Sequence, residues 1–319
     1  MNHPVYDVVQ LASLGKMFDD ALATRFRVLP LWDDPHAMEH LAAASAAKVV
    51  VTSVRRGLSR DIISRLPALR AVCSWGVGYE TLDVAATQER NIVVSNTPEV
   101  LDDCVADLAW ALLLTAARRT NIGDRYVKTG QWQTIGAFPL STRVWGKRLG
   151  ILGMGRIGMA IAQRGKGFNM DVRYNNRRER PDTPYTFEPV LQKLAEWADF
   201  LVIACPGGPQ THHIVNAAVI RALGPKGILV NIARGSVVEQ EAMVSALQEG
   251  LLGGAGLDVL ENEPTVPALF MHMDQIALMP HVGSATHETR QDMSQLVLDN
   301  VESFLTTGRL RTPINERLA

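Results

Sequence analysis

Five side chains suited to acid–base and anion chemistry stand just past strand-like runs in the second half of the chain. Arg234 follows the run 227–232, and Asp258 ends the run 255–258. Glu261 and Glu263 lie in the turn after it, and His281 stands just past the run 275–279. In open α/β sheets ligands bind at the carboxyl ends of the strands, so these residues converge on one edge. The chemistry that uses the whole set is hydride delivery to a carbonyl carbon. Charge then develops on oxygen, and a proton donor is required. An imidazole titrates near neutrality, which suits His281 to that task. A carboxylate bonded to its other ring nitrogen would hold the ring; Glu263 is the better candidate and Glu261 the alternative. Arg234 would grip a substrate carboxylate, and polarise the carbonyl, through its planar fork. Asp258 suits a hydrogen bond from a carboxamide on the hydride carrier. Singly each residue is commonplace, since an arginine after a strand is usually a surface ion pair and a lone histidine is usually structural. Their coincidence at successive strand ends sets them apart.

The carrier is indicated by the stretch 150–160, Gly-Ile-Leu-Gly-Met-Gly-Arg-Ile-Gly-Met-Ala. It reads as a buried strand, a G-x-G-x-x-G turn and a helix. Gly153 would make the tight turn, Gly155 would let backbone approach a pyrophosphate, and Gly158 would let helix and strand pack closely. The helix start, Arg156 and Ile157, would offer amides and a positive dipole end to the anion. Past the next strand an NAD site usually has Asp or Glu about 20 residues on, bonding the ribose hydroxyls. Here the place reads Arg173-Tyr174-Asn175-Asn176-Arg177-Arg178. Asn175 removes the repelling charge, and Arg177 or Arg178 would bond a 2′-phosphate, so NADPH is expected and NADH is less favoured. Cys205, Pro206, Ala233, Asp258 and Gly283 stand at the other strand ends and complete the candidate cofactor residues.

These positions require a sheet. From residue 148 six strands are expected, at 149–152, 171–174, 200–204, 227–232, 255–258 and 275–279, with helices after Gly155 and over 190–198, 217–223 and 239–249. That is a doubly wound dinucleotide domain. The first hundred residues also alternate, with strands expected at 27–31, 48–52, 71–74 and 91–94 and helices over 36–46 and 60–65, hence a smaller parallel α/β domain. After the strand 71–74, Val77 and Gly78 would turn backbone amides toward a ligand. A long helix, 102–119, capped by Asp102 or Asp103, reads as the crossing between domains. The segment 120–147 holds two tryptophans and few strong signals, and would serve as an arm packing on a partner subunit. A last helix, 288–305, returns to the first domain.

Composition narrows the function classes. The chain has 319 residues, 47% of them hydrophobic, a net charge of −1 and three cysteines. That length and hydrophobic content suit two domains with real cores, and the charge suggests neither nucleic acid nor membrane as partner. The cysteines, Cys73, Cys104 and Cys205, are scattered, the first residues do not read as a signal peptide, and the apolar helix over 108–117 is too short to span a bilayer. A cytoplasmic protein is expected. No metal site is expected: His36 and His40 share a helix face without a third ligand, and His212 and His213 point to opposite sides if extended. Tyrosine followed four residues on by lysine, the short-chain dehydrogenase pair, does not occur. L-type lactate and malate dehydrogenases place the glycine turn near the N-terminus, whereas about 150 residues precede it here.

Taken together, the Val77-Gly78 loop, Asn96-Thr97-Pro98, Val105-Ala106-Asp107, the glycine turn, the run 231–235, Gly256-Leu257-Asp258-Val259 through Glu263-Pro264, and Pro280-His281-Val282-Gly283 resemble the D-isomer-specific 2-hydroxyacid dehydrogenase family. The matches span residues 73–290 in the family's order; residues 1–70 carry none. The resemblance implies Arg234, Glu263 and His281 as the catalytic set. It also implies that the substrate is a small 2-oxo acid held by the Val77 and Gly78 amides together with Arg234 and His281, and that the protein is a homodimer built through the cofactor domain. It implies two doubly wound parallel-sheet α/β domains, a Rossmann cofactor domain (100–287) inserted within a flavodoxin-like substrate domain (1–99 and 288–319). Within the family the sequence looks closest to glyoxylate/hydroxypyruvate reductases and plant-type hydroxyphenylpyruvate reductases. The alternatives are reduction of a bulky arylpyruvate and a non-catalytic, corepressor-like NAD(P)-binding protein.

Overall fold

The computed structural model describes residues 5–314. The chain divides into two compact units, one of residues up to Leu101 together with those from Thr286, the other Asp102–Ala285. Among the described residues the first unit has five strands: β1 (Val8–Gln10), β2 (Val28–Pro30), β3 (Val49–Ser53), β4 (Ala71–Trp75) and β5 (Val93–Ser95). All pair in parallel, in the order β2-β1-β3-β4-β5. This is the flavodoxin-like order. Both faces are buried, and alternate residues go to opposite cores. Val8, Val49, Val51, Ala71 and Cys73 pack on one side with Phe18, Leu22, Val297 and Val301. Val9, Val50 and Val72 pack on the other with Leu41, Ile62, Ile63 and Leu66.

The second unit has seven parallel strands: β6 (Arg148–Leu152), β7 (Asp171–Asn175), β8 (Thr186–Phe187), β9 (Phe200–Ile203), β10 (Ile228–Asn231), β11 (Gly254–Leu257) and β12 (Ile276–Leu278). Their order is β12-β11-β10-β9-β6-β7-β8. Counted from β6 this is the 3-2-1-4-5-6 order of the dinucleotide fold with one strand added, and the direction of winding reverses between β6 and β9. The helix Asp102–Arg118 lies wholly in this unit, and Asp102 and Asp103 both fall within its first turn. The indole of its Trp110 stacks on Phe168 at 4.4 Å and donates to the Ile161 carbonyl at 3.0 Å, which fastens it to the helix Arg156–Gly165.

The observed elements differ from the expected ones in five places. The six strands foreseen after residue 148 are seven, because Thr186–Phe187 adds an edge strand beside β7. The fourth expected strand of the first domain moves from 91–94 to Val93–Ser95, and Val8–Gln10 is a strand that was not expected. The helix expected over 36–46 is a short α-helix, Ala37–His40, followed by a 3₁₀ turn, Leu41–Ala44. The segment 120–147 is helical over Thr120–Lys128 and Gln131–Thr134. The first residues, where a leader was not expected, lie outside the described ones. Among the described residues no helix is long and apolar enough to cross a membrane.

Candidate functional site

Because every strand of the seven-stranded sheet runs the same way, the segments after β6, β9, β10, β11 and β12 leave from one edge. The glycine turn leaves β6 beside the point where the winding reverses. Gly153 has φ of +101°, and a Cβ there would lie 2.4 Å from the Cys205 amide nitrogen. A Cβ on Gly158 would lie 2.2 Å from the Gly153 carbonyl oxygen. Only glycine fits at either place. Gly155 differs, for a Cβ there would meet nothing within 4 Å. It caps the helix Arg156–Gly165 without any side-chain hydrogen bond. Amides of the first helical turn have no partner within the helix, so this open side suits a pyrophosphate and the residues fit a dinucleotide. The Arg156 side chain bonds the Asp102 carboxylate at 3.0 Å, which leaves its contribution to the anion with the backbone.

At the end of β7 the roles of two neighbouring residues differ from expectation. Asn175 is buried, and its amide donates to the Glu188 carbonyl at 2.8 Å. Asn176 is the residue that meets the glycine turn, its Oδ1 accepting from the Met154 amide at 2.7 Å. Side chains alternate along a strand, so a shift of one residue exchanges the two environments. Arg180 completes the clamp on Met154 by donating to its carbonyl at 2.8 Å. Arg177 is exposed and bonds the Gln210 side chain at 2.9 Å, and Arg178 is exposed. Asn176 and Arg180 were not among the expected residues; only their place beside the turn marks them.

Beyond β9, Cys205 is buried, and burial pushes its thiol up to about 11, while Pro206 beside it is exposed. Beyond β10, the Asn231 side chain accepts from the Ala233 amide at 3.0 Å and donates to the Arg234 carbonyl at 2.9 Å, fixing the tight turn that presents Arg234. A Cβ on Gly207 would lie 2.7 Å from the Arg234 Cγ, so the guanidinium stem runs against bare backbone. A Cβ on Gly235 would lie 2.0 Å from the Leu260 carbonyl carbon. The arginine turn is thereby seated against the segment that carries Glu263.

His281 sits after β12 in a left-handed conformation, φ +55°. Three consecutive amides hold this loop to one residue. The His281 amide donates to the Asp258 backbone carbonyl at 2.8 Å, while Val282 and Gly283 donate to its two carboxylate oxygens at 2.8 and 2.9 Å. Burial pushes the Asp258 carboxyl up from its ordinary value, and those two amides draw it part of the way back. Asp258 is thus the anchor of the histidine loop. The His281 Nδ1 meets Glu263 Oε2 at 2.7 Å, and Glu263 Oε1 accepts from the Leu260 amide at 3.1 Å. Of the two candidate carboxylates Glu263 is the partner; Glu261 instead meets His213 Nε2 at 2.7 Å.

In the five-stranded unit the loop after β4 is also pinned. Gly76 has φ of +124°, its amide donates to Thr97 Oγ1 at 3.1 Å, and Asn96 donates to the Val77 carbonyl at 2.8 Å. Asn96 and Thr97, which entered the sequence reading only as motif residues, are the supports of the Val77–Gly78 backbone.

The family model described as "D-isomer specific 2-hydroxyacid dehydrogenase, NAD binding domain" matches residues 110–283. The hydroxyphenylpyruvate reductase of Plectranthus scutellarioides is 42% identical over 308 residues, 96% of this chain and 98% of that one. The glyoxylate/hydroxypyruvate reductase A of Arabidopsis thaliana is 41% identical with the same coverage. Among solved structures, the NADPH-dependent glyoxylate/hydroxypyruvate reductase of Sinorhizobium meliloti, in complex with NADP and malonate, is 37% identical and covers 99% of this chain and 98% of its own, with a TM-score of 0.91.

Asp258→Asn puts an NH2 group where one of the two carboxylate oxygens receives an amide. That buried donor loses its acceptor, and the fold should lose about 1–3 kcal/mol in chemical denaturation. Hydrogen exchange at Val282 and Gly283 should rise together with it. Unchanged stability and exchange would remove Asp258 as the anchor.

Proposed function

This chain belongs to the D-isomer-specific 2-hydroxyacid dehydrogenase family, and from that premise we propose that it reduces a small 2-oxo acid, glyoxylate or hydroxypyruvate, to the D-2-hydroxy acid with NADPH. The observation that carries the reading is the 2.7 Å contact between His281 Nδ1 and Glu263 Oε2, on the sheet edge that also bears the glycine turn. A bound nicotinamide cofactor supplies the hydride. His281, oriented through Nδ1 by Glu263, gives the Nε2 proton to the oxygen on which charge develops. The imidazolium form that precedes the transfer is balanced by the Glu263 carboxylate. Arg234 binds the substrate carboxylate and polarises the carbonyl beside it. The family resemblance assigns the Val77 and Gly78 amides to substrate binding. On the cofactor side, Gly153, Gly155, Arg156, Ile157 and Gly158 receive the pyrophosphate, with Cys205, Pro206, Ala233, Asp258 and Gly283 at the neighbouring strand ends.

For the 2′-phosphate the geometry favours Asn176 over Asn175, with Arg177 and Arg178 as the charged donors. The complex of the Sinorhizobium meliloti relative with NADP supports the cofactor. The choice between a small substrate and an arylpyruvate divides the plant relatives themselves, since one is named for each. For the partner, Trp132, Leu140 and Trp145 of the segment 120–147 are more than half exposed, Leu140 at 99%. An apolar surface of that kind suits a second copy of the chain in a twofold dimer.

Four measurements follow from this reading. Glyoxylate and hydroxypyruvate should consume NADPH, with D-glycerate the product of the second; L-glycerate would overturn the family chemistry, and no turnover of any 2-oxo acid would leave a binding protein. His281→Ala should lower kcat by about two to four orders of magnitude, the usual worth of a positioned acid. Arg234→Ala should raise KM as well, and near-normal kinetics in either folded variant would refute the assigned role. Charge-assisted contacts are worth about 1.5–3 kcal/mol each, which gives roughly tenfold to a hundredfold preference for NADPH. Asn176→Asp combined with Arg177→Ala should move the ratio of kcat/KM values toward NADH; a wild-type enzyme that prefers NADH contradicts this. Finally, sedimentation should give a dimer that Leu140→Asp with Trp132→Asp weakens, and a monomeric wild type would reject the interface.

A further inference from the structure

Outside this set of residues, one group of metal-ligating side chains stands together on the same unit. The sequence suggests that His212 and His213 point apart. That holds only for an extended chain, and His213 has φ of +50°. The left-handed turn brings the two imidazoles to the same side, with ring centroids 3.9 Å apart and planes tilted by 30°. Glu261 meets them there, and one ligand atom from each of the three residues lies within 4.8 Å of the others.

We propose that His212, His213 and Glu261 form a binding site for a divalent transition ion of the Zn²⁺ class. Two imidazoles and a carboxylate are a known zinc donor set, and they leave a fourth position to water. Ligand atoms around a tetrahedral zinc stand about 3.3 Å apart, given bonds of about 2.0–2.1 Å. The His213–Glu261 pair at 2.7 Å must therefore open slightly, and His212 must close in by rotation. His212 is exposed, so the movement displaces nothing packed. The other two ligands are held from behind. The His213 amide donates to the Ser236 carbonyl at 2.8 Å, and the Glu261 amide donates to the Gln240 side chain at 3.3 Å. Val215, two residues on from His213, is fully buried and bridges to Val238, so the His213 backbone cannot drift. Such outer partners orient ligands and raise affinity. A mixed imidazole–carboxylate set selects Zn²⁺, Cu²⁺ or Ni²⁺ over Mg²⁺ or Ca²⁺, which prefer oxygen.

The site also touches the reaction. Glu261 is two residues from Glu263, and both belong to the turn that Gly235 seats. An ion that draws the Glu261 carboxylate away from His213 pulls on the segment whose Glu263 holds His281. Occupancy should therefore alter turnover as well as bind metal.

The probe is Co²⁺, followed by displacement with Zn²⁺, on the full chain freed of metal by a chelator. One ion per chain is expected, with visible absorption intensified as four- or five-coordinate Co²⁺ requires, and at least tenfold weaker binding in both His212→Ala and Glu261→Gln. Neither residue belongs to the proposed catalytic set. The absence of stoichiometric binding, or wild-type affinity in either variant, overturns the proposal and leaves His213–Glu261 as a hydrogen-bonded pair. Zn²⁺ should also change kcat in the wild type and not in His212→Ala. An equal change in the variant would place the acting ion elsewhere and remove the link to turnover.

Discussion

The carboxyl edge of the seven-stranded sheet depends on one buried carboxylate. Asp258 stands at the end of β11 with 2% of its surface exposed and takes two backbone amides on its side chain and a third on its carbonyl. A buried charge is expensive unless hydrogen bonds compensate it. Here the compensation is the backbone of the histidine loop, so relieving the carboxylate and positioning the imidazole are one event. Orientation then passes from Asp258 to the loop, from the loop to His281, and from His281 to Glu263. Glu263 returns it to Leu260, two residues along the chain from Asp258. The circuit closes on itself, and few of its members can move independently.

The arginine is held by a different device. Glycine on either side of its stem, Gly207 across from it and Gly235 after it, lets backbone approach where any Cβ would collide. Such close approach of backbone leaves the turn and the stem little slack. The same device operates at Gly153 and Gly158, where the turn, the helix and the neighbouring strand end come into contact. Two kinds of constraint thus share the sheet edge: hydrogen bonds fix the imidazole of His281, and the absence of side chains fixes Arg234 and the glycine turn.

Much of this arrangement was legible in the sequence, for physical reasons that also account for the rest. Strands buried on both faces announce themselves as continuous apolar runs, and β6, β9 and β10 fell within a residue or two of their expected ends. Thr186–Phe187 has only two residues and gives no period to detect. Val8–Gln10 ends in a glutamine that is 1% exposed and bonds Asp19, a burial that composition does not foretell. At the end of β7 the sequence singles out Asn175, whereas Asn176 is the one that meets the glycine turn; which of the two faces it depends on the strand's phase, and a single residue of uncertainty reverses it. For Glu261 and Glu263 the alternatives were named correctly, and only the course of the loop could decide between them. The histidines would point apart only in an extended chain, and pattern reasoning has no signal for the left-handed φ of His213 that removes that condition.

The split of the five-stranded unit into two pieces of sequence also bears on how the chain is made. Its five strands all precede residue 96, yet one face of that sheet is covered by Val297, Leu298 and Val301, from the helix His287–Thr307. During synthesis those strands leave the ribosome with only Phe18 and Leu22 to share the cover of Val49, Val51 and Ala71, and nearly two hundred further residues must be added before the second covering helix exists. At roughly 5–20 residues per second the delay is about ten to forty seconds. The seven-stranded unit is contiguous and is completed within that interval. The unit that begins first therefore finishes last, and its nascent apolar face is the part of this protein with the greatest claim on a chaperone.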